Sequence, residues 1–125
     1  MNRFTHFELV TDNLEKTAAF YREVFGWKVE KWEGPVDYWL LTTGDASTPG
    51  INGGLMRAGG PFSGTVNTME VEDLDAVIAK VKAHGGEIVF DKDAVPGVGY
   101  LAYFKDTAGV IVGLMQPDAK AGIGG

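Results

Sequence analysis

Cysteine is missing altogether, which removes disulfides, thiolate metal ligands and a thiol nucleophile from consideration. Histidine is nearly missing, since His6 and His84 are the only imidazoles in 125 residues. Positive charge is scarce as well: 11 Lys and Arg stand against 17 Asp and Glu, giving a net charge of −6. A nucleic-acid surface needs clustered cations to displace counterions, and this chain offers none, so no nucleic acid is expected as a partner. No stretch approaches the roughly 18 consecutive apolar residues needed to cross a bilayer. Residues 1–9 also lack a basic flank followed by a long apolar run. The expectation is a cytoplasmic protein with no membrane partner. Specialised loops are absent too. No glycine-rich stretch ends in the Lys-Ser/Thr of a phosphate loop, and no Ser-His-Asp arrangement sits on a nucleophile elbow. Glu70-Val71-Glu72-Asp73-Leu74-Asp75 lacks the alternating ligands of a calcium loop and reads as an acidic helix start.

What the chain does have is one pattern stated twice. Thr5-His6-Phe7-Glu8-Leu9-Val10-Thr11-Asp12-Asn13-Leu14-Glu15 leads into a helix ending at Phe25-Gly26-Trp27. Asn67-Thr68-Met69-Glu70-Val71-Glu72-Asp73-Leu74-Asp75 leads into another ending at His84-Gly85-Gly86. Leu14 and Leu74 match at an offset of 60 residues (74 − 14), which points to internal duplication. With 45% apolar residues the chain is long enough for one domain with a real core.

Alternation predicts strands over residues 4–11, 27–32, 38–43, 51–57, 65–71, 87–90, 99–105 and 110–116. Helical spacing of Leu14, Ala18, Tyr21 and Phe25, and of Leu74, Val77, Ile78 and Val81, predicts two helices stopped by Gly26 and by Gly85-Gly86. Phe25 and Trp27 are expected in the core, and His84 caps its helix against the dipole. The sum is an α+β fold of two βαβββ modules, about residues 3–57 and 64–116, in one domain over 1–118 with a flexible tail at 119–125. Turn chemistry at Gly34-Pro35, Ala58-Gly59-Gly60-Pro61 and around Pro96 marks candidate mobile rims.

Residues two apart on a strand share a face, so His6, Glu8 and Val10 point one way and Phe7, Leu9 and Thr11 the other. By the repeat, Thr68 and Glu70 sit on the corresponding face of the second module. If that face is concave, His6 can take and return a proton near neutral pH while Glu8 orients it, making these two the candidate catalytic residues.

His6, Asn13-Leu14-Glu15-Lys16, Phe20-Tyr21, Val24-Phe25-Gly26-Trp27, Ile51-Asn52-Gly53-Gly54-Leu55-Met56, Val71-Glu72-Asp73-Leu74, Gly85-Gly86, Asp106-Thr107-Ala108-Gly109 and Val112-Gly113-Leu114 form a distinctive set. In these residues the sequence resembles the vicinal oxygen chelate superfamily, the group of glyoxalase I, bleomycin-resistance proteins and extradiol dioxygenases. Within the superfamily, His-Phe-Glu-Leu and Ile-Asn-Gly-Gly-Leu look most like its small, mostly uncharacterised glyoxalase-like branch. The resemblance implies paired modules forming a half-open barrel around a small ligand, often completed by a second subunit, so a homodimer is expected. It also places Trp32, Tyr38, Trp39, Tyr100 and Tyr103 on strands that line the cleft, where flat rings suit a planar organic ligand. With Thr68 and Glu70 they form the candidate ligand-binding set.

Metal-dependent members draw ligands from four equivalent strand positions, where inward His and carboxylates hold a divalent ion against vicinal oxygens. Here His6 matches the first. The second falls at Gly53 or Gly54, the third at Val66 or Asn67, and the last at Gly113, where glyoxalases carry Glu. One imidazole falls short of the usual three or so protein ligands. The sequence therefore argues against the standard divalent metal centre, and no cofactor is identified. The expected function is binding of a small organic molecule in an aromatic-lined cleft, in the manner of bleomycin-resistance proteins. The alternative is an enzyme: a metal-dependent lyase, isomerase or dioxygenase with a reduced ligand set, or a metal-free acid-base catalyst using His6 and Glu8.

Overall fold

The computed structural model describes residues 1–34 and 36–123, so Pro35 of the expected rim turn and the last two residues of the expected tail lie outside the described residues. The element order is β1 (Arg3–Thr11), α1 (Leu14–Phe25), β2 (Lys28–Lys31), β3 (Tyr38–Thr42), β4 (Gly53–Arg57), β5 (Thr65–Glu70), α2 (Leu74–Ala83), β6 (Glu87–Val95), β7 (Gly99–Lys105) and β8 (Ile111–Pro117). Two βαβββ modules follow in sequence, and the fold is α+β as expected.

Each helix starts and stops for a local reason. Asn13 caps α1, its side-chain oxygen accepting from the Lys16 amide at 3.0 Å. Asp73 does the same for α2, accepting from the Ala76 amide at 3.1 Å. Gly26 ends α1 in the left-handed conformation at φ +70°, donating its amide to the Arg22 carbonyl, a geometry that costs glycine least. His84 occupies the C-cap of α2 and its Nδ1 lies 2.9 Å from the Lys80 carbonyl oxygen.

The chain divides into two compact units, residues 5–66 and residues 1–4 with 67–125. In the first, the strands lie in the order β2-β3-β4-β1, with β1 parallel to β4 and the other pairs antiparallel. Leu14 and Ala18 of α1 pack on Val29, Leu41 and Leu55, with Phe7, Leu9, Trp27 and Trp39 around them. In the second, the order is β5-β8-β7-β6, with β5 parallel to β8 and the rest antiparallel. Leu74 of α2 packs there on Val71, Ala102 and Leu114, joined by Met69, Val77, Ile78, Tyr100 and Phe104. Each helix thus covers one face of its four strands, and the odd-even alternation of the strands assigns every other side chain to the opposite, open face.

Two details differ from expectation. β6 continues to Val95 rather than stopping at Phe90, because register irregularities between Ile88 and Phe90 and between Phe90 and Asp93 let the pairing resume. Phe25 is not core: it is 59% exposed, sitting in the last turn of α1 and meeting Tyr21 and Trp27 rather than the sheet. Trp27 does pack against the core. Residues 118–123 form turns in which the Ala121 carbonyl accepts from the Gly97 amide at 3.0 Å, and Ala121 is fully buried.

Candidate functional site

In residues 5–66 the face of β1 opposite α1 carries His6, Glu8 and Val10, because Phe7 and Leu9 are taken up by the core. Pairing of β1 with β4 sets Glu8 beside Gly54 and Val10 beside Met56. β3 runs antiparallel to β4, with Tyr38 beside Met56 and Leu40 beside Gly54, so Tyr38 shares the open face with His6. The phenol reaches across to the imidazole: Tyr38 Oη and His6 Nε2 are hydrogen-bonded at 2.8 Å. Trp32 stands edge-on to Tyr38, with ring centroids 6.2 Å apart at 80°.

Two features tune this cluster. Glu8 is a carboxylate with 4% exposure, an arrangement that persists only where the group is partnered. His6 is held below its ordinary value because burial disfavours the imidazolium more than the charge of Glu8 favours it. The imidazole is therefore neutral at pH 7, with one ring nitrogen able to accept. A neutral imidazole, a phenol and a buried carboxylate on one sheet face can bind a polar group and move a proton.

Glycine makes the arrangement possible. A Cβ on Gly54 would fall inside van der Waals contact of the hydroxyl, Cζ and Cε1 of Tyr38, so the absent side chain is the space that the phenol occupies. The same holds in the other unit by itself. Thr68 pairs with Gly113 in register, and a Cβ on Gly113 would meet Thr68 Oγ1 and the Tyr103 ring. Thr68 and Tyr103 are buried there at 3% and 4% exposure, with Tyr103 edge-on to Phe90, and Glu70 is half-buried on the same open face. Sequence reasoning noted these glycines as empty ligand positions and missed that neighbouring hydroxyls fill them.

The remaining aromatic candidates lie on the helix sides. Trp39 packs against the core beneath α1, and Tyr100 packs against the core beneath α2 with Lys92 Nζ 4.9 Å from its ring centroid. A hollow of about 250 Å³ opens near the start of α1, lined among others by Asp12, Lys31, Asp37, Trp39 and Arg57. It is polar, bridged by the 2.7 Å Arg57–Asp37 ion pair, and does not include His6, Glu8 or Tyr38.

The four metal-ligand positions that the resemblance implies fall at His6, at Gly53 or Gly54, at Val66 or Asn67, and at Gly113. His6 Nε2 is engaged by Tyr38, Gly54 and Gly113 are seats for other side chains, Gly53 lies on the helix side against Phe7, and Val66 is an apolar side chain with 1% exposure. Asn67 is exposed and alternates onto the side of Met69, which packs under α2. Among the described residues no group of three or more His, Asp or Glu is placed to hold a metal ion. The donor set does not fit the standard centre.

Known proteins bear on the family. Residues 3–114 match the profile of the Glyoxalase/Bleomycin resistance protein/Dioxygenase superfamily. Proteins of Mycobacterium bovis and Mycobacterium tuberculosis named "Putative glyoxylase CFP32" are 33% identical over 116 residues, covering 88% of this chain and 42% of theirs. The chain thus spans about two fifths of the length of these relatives. Among solved structures, methylmalonyl-CoA epimerase of Mycobacterium tuberculosis superimposes with a TM-score of 0.70 at 18% identity, covering 94% of this chain and 89% of that one. A variant of the Streptomyces coelicolor methylmalonyl-CoA epimerase, solved in complex with 2-nitronate-propionyl-CoA, gives a TM-score of 0.70 at 22% identity and covers 95% and 96%. At such identities the structural likeness speaks for the fold alone. No helix among the described residues is long and apolar enough to cross a membrane. With the repeated modules, the strand order of each unit and a profile match over nearly the whole length in agreement, the chain belongs to the glyoxalase/bleomycin resistance protein/dioxygenase superfamily.

Proposed function

We propose that this protein binds a small organic molecule in an aromatic-lined site on the open face of its first module, without the standard metal centre of the superfamily. The observation that supports it is the hydrogen bond between Tyr38 and His6 at 2.8 Å, seated on Gly54: the one imidazole at a family ligand position is occupied by a phenol. Trp32 and Tyr38 supply ring surface, and His6 and Glu8 supply polar groups that orient the ligand. Trp39 and Tyr100 act from below, by holding their strands on the cores. Thr68, Glu70 and Tyr103 supply a hydroxyl, a carboxylate and ring surface to the open face of the second module, which has no imidazole. The reading extends to a cytoplasmic homodimer, which sedimentation and cell fractionation would check.

A second reading is favoured by the neutral imidazole beside a buried carboxylate. It takes the protein as a metal-free acid-base enzyme in which His6 moves the proton and Glu8 orients it. The experiment that tests the first reading and separates the two is a screen by tryptophan fluorescence and NMR. Its probes are bleomycin, catechols and thiol adducts of vicinal diketones, and hits are repeated on Tyr38→Ala, Trp32→Ala and His6→Ala. Binding alone predicts that the aromatic substitutions weaken affinity more than His6→Ala. Catalysis predicts turnover lost in His6→Ala at nearly unchanged affinity. Hits that perturb only residues away from this face would refute both.

A further inference from the structure

The open face of the first module places a hydroxyl where a side chain is missing, and the arrangement of donors around it has a consequence for cations. Glu8 and residue 54 are register partners on parallel strands, and His6 lies two residues before Glu8 on the same face. A side chain longer than glycine at 54 would therefore stand beside Glu8, on the face that also carries His6. It cannot do so at present, because the Tyr38 phenol fills that volume and is hydrogen-bonded to His6 Nε2. We propose that residue 54 is the position that decides what His6 holds: glycine there seats the Tyr38 phenol and commits the imidazole to it, excluding a divalent cation. The proposal rests on the metal-free reading above and adds to it a named selector and a named plug.

The chemistry of the alternative state is specific. Gly54→Glu combined with Tyr38→Ala removes the plug and adds a carboxylate beside Glu8, so that one imidazole and two carboxylates share a single sheet face. Three such donors are the usual protein complement of an open divalent site such as that of zinc. The device also occurs twice. Thr68 pairs with Gly113 as Glu8 pairs with Gly54, at offsets of 60 (68 − 8) and 59 (113 − 54), and there too a neighbouring hydroxyl stands where the side chain would be. At both repeat-related positions the missing side chain leaves room for a hydroxyl, from Tyr38 of β3 at Gly54 and from the register partner Thr68 at Gly113.

The test uses the full chain with 15N-labelled imidazoles, in which His6 and His84 give the only two sets of signals to assign. Zinc chloride is titrated into the wild type and into Gly54→Glu/Tyr38→Ala, with His6→Ala added to the latter as control. The wild-type His6 signals stay unmoved at one equivalent. In the double variant they shift to saturation at one ion per chain, at least about tenfold tighter than any wild-type response, and the ion is no longer retained once His6 is removed. Equal zinc response at His6 in the two proteins overturns the proposal, as does a folded double variant whose His6 ignores zinc. Should the double variant fail to fold, Tyr38→Phe decides without metal: the ring still covers Gly54, but the His6 Nε2 shift must move because its hydrogen bond is gone. An unchanged Nε2 shift overturns the proposal. No organic ligand enters these titrations, so a failure to find one is a separate result.

Discussion

Gly54→Ala adds one methyl group, and its cost follows from what already fills that volume. The atoms nearest the new Cβ are the hydroxyl, Cζ and Cε1 of Tyr38, all too close to remain. They belong to a rigid ring rather than to the tip of a flexible chain, so the phenol must swing off the sheet and release His6. Overpacking of this kind costs about 1–3 kcal/mol, and the lost hydrogen bond adds about 0.5–1.5 kcal/mol. Against this, Gly54 has no left-handed φ, so alanine fits the backbone and gains about 0.4–1 kcal/mol through the unfolded chain. A net destabilisation of about 0.5–4 kcal/mol in urea denaturation is expected. The sharper readout is a double-mutant cycle. In a Tyr38→Ala background the ring is gone, Gly54→Ala becomes neutral or slightly stabilising, and the coupling between the two sites is at least about 1 kcal/mol. Additivity within about 0.5 kcal/mol would refute the view that the glycine exists to seat the ring.

Four further outcomes are expected. Because burial holds His6 below its ordinary value, the unfolded chain binds the proton first as pH falls. Stability is then full above about pH 6.5 and is lost downward through that value to the depressed folded one, at no more than about 1.4 kcal/mol per pH unit. His6→Gln should flatten this slope, and identical slopes in the two proteins would contradict the assignment. Asn13→Ala removes the α1 cap and should cost about 0.5–2 kcal/mol of unfolding free energy, with Asn13→Asp restoring most of it. Leu55→Ala empties a fully buried position under α1 and should lower stability by about 2–5 kcal/mol by chemical denaturation. Asp37→Asn breaks an exposed ion pair with Arg57 and should leave the urea midpoint close to that of the wild type, with any difference vanishing in high salt.

Much of the fold was legible because its signals are local. Asp73 before Leu74, helical spacing through Val81 and Gly85-Gly86 behind it delimit α2, and alternation between Gly99 and Lys105 delimits β7. β6 was legible only to Phe90, since Asp91-Lys92-Asp93 shows no apolar alternation and its pairing resumes through irregular register. Phe25 continues the spacing of Leu14, Ala18 and Tyr21, yet periodicity alone cannot tell that the last turn of α1 runs past the sheet. On the site, the period of two that separates His6 and Glu8 from Phe7 and Leu9 applies equally to Tyr38 against Trp39 and to Tyr103 against Tyr100. Trp39 and Tyr100 fall on the helix sides by that same rule. The Tyr38–His6 contact was beyond the sequence, because it depends on β3 and β1 both flanking β4 and on a ring leaning across a residue that is not its register partner.

The duplication separates what packing requires from what chemistry requires. On the helix sides the repeat keeps its character: Leu14 and Leu74, Leu9 and Met69, Leu55 and Leu114 are apolar and packed in both modules. A core at crystal-like density penalises any change of volume or polarity, which holds such positions to apolar residues. The open-face positions answer only to what lies on them, and there the modules have parted. His6, Glu8 and Val10 of β1 correspond to Val66, Thr68 and Glu70 of β5, so an imidazole beside a buried carboxylate occurs in the first module alone. What both faces keep is the glycine on the last strand and the hydroxyl that fills it. Among the described residues the imidazole beside a buried carboxylate is thus confined to residues 5–66. The second module has valine and threonine in place of the pair, and a single carboxylate, Glu70, two residues further along its strand.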